Sequence, residues 1–75
     1  MDIGKAMMEI REAKGISRSE MAKALGIMSQ SVWKIEKGKS WPKPKTIEKF
    51  CEVAKVPLVY LYNKSLTVED YIWPE

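Results

Sequence analysis

Between Arg18 and Lys37 the chain reads RSEMAKALGIMSQSVWKIEK, and the placement of Ala22, Gly26 and Val32 within it constrains the fold more than any other feature. A small residue at Ala22 lets a second helix pass close over a first. Gly26 supplies the positive φ that ends the first helix sharply, and Val32 plugs the angle between the two. Met21, Leu25, Ile27 and Ile35 fall at the spacings that point inward from such a pair. The start of the first helix is also marked. Ser17 and Glu20 form an S-x-x-E capping box, in which the hydroxyl accepts from a first-turn amide and the carboxylate accepts from the amide of Ser17. Two short helices that cross at a sharp turn, with one face of the second left exposed, are expected here.

The flanking chain reads as further short helices without repeats or low-complexity segments. Ile3, Met7 and Ile10 recur at i, i+4, i+7, which predicts a helix from about Asp2 to Lys14, stopped by Gly15. Gly38 ends the helix that follows the turn. The segment KSWPKP then makes a loop whose Pro44 suits the first turn of a fourth helix, with Ile47, Phe50, Cys51 and Ala54 inward. Val56-Pro57 breaks that helix, and Leu58 with Leu61 is expected to close the core from a short fifth one. Residues 1–63 thus form one domain. Residues 64–75 form a tail, in which Thr67 to Asp70 either cap one more turn or lie extended.

Composition removes most chemistry. The 75 residues contain no His and one Cys, Cys51, which reads as a small core residue. No Gly-rich phosphate loop or metal-ligand cluster is present, so an enzyme is the least expected class, and no cofactor or metal is expected. With no signal-peptide pattern and no apolar run of about 18 residues, a cytoplasmic location without a membrane partner is expected. The net charge of +3 is unevenly spread: residues 1–64 hold thirteen basic and seven acidic side chains, whereas residues 65–75 hold three acids and no base. Lys34, Lys37, Lys39, Lys43 and Lys45 crowd one stretch against the single acid Glu36, directly after the exposed helix face. A polyanion is the partner such a stretch suits.

Taken together, Ile10-Arg11, KGIS at 14–17, MAKALGI at 21–27, Val32, IEKG at 35–38, Pro42 and KTIEKFCEVA at 45–54 resemble the helix-turn-helix domains of the XRE family, of the Cro and phage-repressor type. The resemblance runs from Ile3 to Leu61. It implies an all-α, compact five-helix bundle of the lambda-repressor-like class, which binds double-stranded operator DNA as a homodimer and regulates transcription, usually by repression.

The family lays its third helix in the major groove, which makes Ser29, Gln30, Trp33 and Lys34 the candidate base contacts. Spacing supports this separately, because Gln30, Lys34 and Lys37 share the face opposite Val32 and Ile35. Glutamine can bond adenine bidentately and lysine can donate to guanine O6 and N7, so Gln30 and Lys34 lead. Phosphate contacts are expected from Arg18, Lys37, Lys39, Lys43 and Lys45. The chain departs from the family at Arg18, where Gln is common, and at Met28 and Lys43, where a capping side chain is usual. It departs again at Lys55, where Gly is usual. Ser29 is a candidate to replace the missing cap at Met28. Arg11 and Glu36 resemble a structural ion pair that the family buries.

Apolar residues in excess of what a small core needs, among them Val59, Val68 and the candidate dimer contacts Tyr60, Tyr62, Leu66, Tyr71, Ile72 and Trp73, suggest a dimer interface. A tail folded back as a sixth helix is the competing expectation. An antitoxin-type regulator with a toxin partner, or a protein-binding adaptor, is the alternative to a stand-alone repressor.

Overall fold

The computed structural model describes residues 1–67 and Asp70. Among them are five helices and no strand: α1 (Ile3–Ala13), α2 (Arg18–Leu25), α3 (Ser29–Glu36), α4 (Pro44–Ala54) and α5 (Leu58–Ser65). This is the all-α, five-helix architecture that the sequence implies. No helix among the described residues is long and apolar enough to cross a membrane.

Local chemistry accounts for most helix ends. Asp2 caps α1 by accepting from the Lys5 amide at 3.0 Å. At α2 the Ser17 hydroxyl accepts from the Glu20 amide and the Glu20 carboxylate accepts from the Ser17 amide, both at 3.0 Å. The Ser17 amide, with its hydroxyl second, holds the Glu20 carboxyl below the ordinary glutamate range. Gly26, at φ 71°, reverses the chain and lets the Ile27 amide reach the Ala22 carbonyl at 3.0 Å. That short link joins α2 to α3.

One core serves all five helices. Ile3, Met7 and Ile10 of α1 meet Met21 of α2, Ile35 of α3, Phe50 of α4 and Leu61 of α5, and Cys51 is buried beside them. Burial pushes the Cys51 thiol up, which keeps it protonated and unreactive. The sequence singled out no role for Gly4, yet it is buried where α1 crosses the end of α3. A methyl group there would collide with the Ile35 carbonyl, so only glycine allows this approach.

Three expectations require correction. Leu58 does not close the core: it is 41% exposed, and Val56, in the link before α5, packs on the core in its place. The fifth helix runs to Ser65, two residues into the segment read as the tail, because the Ser65 carbonyl accepts the Asp2 amide at 2.7 Å and its hydroxyl bonds the Tyr62 carbonyl at 2.7 Å. The end of α5 is thereby tied to the start of α1, which a Glu9–Lys64 ion pair at 3.1 Å reinforces. Ser29 does not cap α3 either. Met28 occupies the cap without a side-chain bond, leaving Ser29 as the first helical residue.

Beyond α5 the Asp70 carboxylate accepts from the Thr67 amide at 2.7 Å and the Thr67 hydroxyl at 3.0 Å, and pairs with the Met1 ammonium at 2.9 Å. The Thr67 amide is the main cause of an Asp70 pKa lowered to about 2. Val68, Tyr71, Ile72 and Trp73, all part of the expected interface, lie outside the described residues.

Lys55 takes the left-handed conformation that ends α4, at φ 58°, where its side chain crowds the backbone. Lys55→Gly should therefore stabilise the domain by about 1 kcal/mol in urea melts, since glycine meets no Cβ penalty in this geometry. An unchanged or lower midpoint would show that the lysine is not strained.

Candidate nucleic-acid interface

The third helix is divided between two environments. Val32, Ile35 and Glu36 are buried, whereas Ser29, Gln30 and Lys34 face solvent and Trp33 lies half-buried between them. A helix anchored by two aliphatic residues and a carboxylate cannot roll, so its polar face keeps a constant direction. Gln30 and Lys34, one turn apart, point from the same face.

Lys37, Lys39, Lys43 and Lys45 are all exposed around the end of α3 and the loop into α4. None of them, nor Lys34, forms a salt bridge among the described residues, so the stretch is a field of uncompensated positive charge. Lys39 and Trp33, which the sequence treats separately, come together: the Lys39 ammonium sits 6.0 Å from the centroid of the Trp33 ring. This is the outer limit of a cation–π contact, and it ties the loop lysine to the helix face.

Glu36, the last residue of α3, is the electrostatic centre. Arg11 Nε donates to its Oε2 at 2.7 Å and Arg11 Nη2 to its Oε1 at 3.3 Å, while Arg11 Nη1 donates to the Ile16 carbonyl at 2.8 Å. Arg18 Nε also donates to Glu36 Oε1, at 3.1 Å. One carboxylate, with a side chain 2% exposed, thus binds α1, α2 and α3 through two guanidinium groups. The sequence named Arg11 and Glu36 together but gave Arg18 a phosphate role alone; residues eighteen positions apart carry no local signal of such a contact.

Trp41 is the residue that sequence reasoning passed over. It is 63% exposed in the loop after α3, next to Lys39, and lines a groove of about 720 Å³ with Ile3, Gly4 and Ile35. Its place within a run of lysines was the available signal. Met28, 70% exposed at the start of α3, is a second apolar side chain beside the polar face. Among the described residues no group of His, Cys, Asp and Glu could hold a metal ion.

The sequence of this domain is similar to those of known proteins. Residues 7–61 match the helix-turn-helix family, a span that covers α2, the turn and α3 entirely. The chain is 42% identical over 55 residues to the uncharacterized HTH-type transcriptional regulator RghRB of Bacillus subtilis (strain 168), covering 72% of this chain and 40% of that protein. It is 31% identical over 68 residues to the HTH-type transcriptional repressor RghR of the same organism, covering 89% of this chain and 50% of the relative. The chain therefore spans half or less of the length of these two relatives. With the match running from the middle of α1 to Leu61 of α5, the chain belongs to the XRE-type helix-turn-helix family.

Proposed function

We propose that this chain is a sequence-specific double-stranded DNA-binding regulator of transcription, acting in the cytoplasm as a repressor or autoregulator at a palindromic operator. The observation that carries the reading is the division of α3. Its apolar side and Glu36 are locked into the domain, while Gln30 and Lys34 stand out on one face beside unpaired lysines. In the major groove Gln30 and Lys34 read base edges, and Ser29 and Trp33 flank them. Arg18, Lys37, Lys39, Lys43 and Lys45 hold the phosphates on either side. That a relative is named as a repressor supports the direction of regulation.

Dimerisation belongs to the same proposal. Leu58, Val59, Tyr60 and Tyr62 are exposed along α5, an apolar face that suits a second copy, with Leu66 half-buried at its end. Two recognition helices set about 34 Å apart read both halves of a palindrome on one side of the duplex. The α5 face also supports the alternative of an antitoxin or adaptor that binds another protein. Site selection separates the DNA-reading regulators, an antitoxin among them, from the adaptor.

Selection of bound sites from random duplex DNA should return a two-fold symmetric sequence with half-sites about one helical turn apart. On that sequence Gln30→Ala should weaken binding by about 1–3 kcal/mol while non-specific binding stays nearly intact. Lys39→Ala should weaken all sequences alike and lower the salt slope by about one. Recovery of no preferred sequence would favour the protein-binding alternative, and tight operator binding by Gln30→Ala would move the reading face elsewhere.

A further inference from the structure

We propose that Glu36 is a positioning residue for Arg18: the buried carboxylate that joins three helices also aims a second guanidinium at the DNA backbone. The inference rests on the phosphate role given to Arg18 above. It differs from a purely structural ion pair in what each arginine has left to offer.

Arg11 is used up. Its Nε and Nη2 are on Glu36 and its Nη1 is on the Ile16 carbonyl, and its side chain is 7% exposed. Arg18 is held at one point only, through Nε at 3.1 Å from Glu36 Oε1, and its side chain is 38% exposed. Its two Nη groups have no acceptor among the described residues. A guanidinium is planar and rigid, so anchoring Nε narrows the directions in which the two Nη groups can face. A phosphate is the acceptor that such a fork suits, because its oxygens accept two parallel bonds.

Charge points the same way. Two guanidinium groups share one carboxylate, so the cluster carries a net positive charge that Glu36 alone does not neutralise. A phosphate beyond Arg18 places that arginine between two anions. Holding the side chain in advance also removes the ordering cost that a free surface arginine meets on binding, the usual benefit of preorganisation. Glutamine, the common family residue at this position, lacks both the charge and the second arm.

The test uses fluorescence anisotropy with a random-sequence duplex of about 40 base pairs, titrated at several salt concentrations so that the phosphate contribution is read as a slope. Arg18→Ala should weaken binding about tenfold and lower the slope by about one. In the background of Arg11→Met with Glu36→Leu, where nothing aims the side chain, the same replacement should cost about threefold or less. Arg18→Lys in the otherwise unaltered chain keeps the charge but cannot serve both anions with one fork, and should lose at least about threefold. It remains decisive if the doubly replaced background fails to fold. Equal losses in the two backgrounds, or an Arg18→Lys protein that binds like the parent, would overturn the positioning role. An Arg18→Ala protein with unaltered affinity and slope would overturn it by removing the phosphate contact itself, and a parent that does not bind the duplex would remove the DNA reading.

Discussion

Replacing Glu36 with leucine should destabilise the domain by about 3–5 kcal/mol, the cost typical of leaving a buried charge without its partner. Arg11, whose side chain is 7% exposed, would lose both of its bonds to the carboxylate and keep only the Ile16 carbonyl. A domain of 75 residues has a total stability of about 4–11 kcal/mol, so this single change could leave it close to unfolded. Arg11→Met should cost less, because Glu36 would still accept from Arg18 at 3.1 Å. The two replacements together should recover much of the loss. Both buried charges then vanish in favour of apolar side chains of similar bulk, and the half-exposed Arg18 turns to solvent. Urea melts of the two single variants and the double variant measure this coupling. Strictly additive losses would show that the side chains do not share a desolvation cost.

Gly4→Ala should lower stability by about 3 kcal/mol, the upper range for overpacking a tight contact, and drop the melting temperature by about 12–24 °C for a domain of this size. Intrinsic helix propensity argues the other way, since alanine is favoured over glycine inside a helix by about 1 kcal/mol. The collision decides the sign. The atom that a methyl group at position 4 meets is the backbone carbonyl of Ile35, which no change of rotamer can move aside. Relief requires α1 to lift from α3, and that would pull the fully buried Ile3 from the core. The same lift would disturb the helix expected to read DNA, so the variant should also bind more weakly at temperatures where it is still folded. Thermal unfolding followed by circular dichroism is sufficient. An alanine variant as stable as the parent would mean that the two helices never come this close.

What the sequence determined by itself is local. The capping box of Ser17 and Glu20, the reversal at Gly26, the stop at Gly38 and the start at Pro44 each depend on bonds or dihedrals within a few residues, and the inward faces follow from helical period. These signals agree with one another, which is why five helices and the crossing pair were legible without coordinates. The exposed face of α3 was legible for the same reason, since buried Val32 and Ile35 define its opposite.

Tertiary structure alone decided which distant groups meet. Gly4 reads as an ordinary weak point in a helix until the Ile35 carbonyl is set against it. Arg18 reads as a free charge until Glu36 arrives from the far end of α3, and Lys39 as a loop lysine until the Trp33 ring lies beneath it. Leu58 follows the apolar pattern of α5 yet remains exposed, because Val56 reaches the core first. Periodicity states which side of a helix is apolar, but the closeness of two backbones and the sharing of one carboxylate arise only when the helices pack.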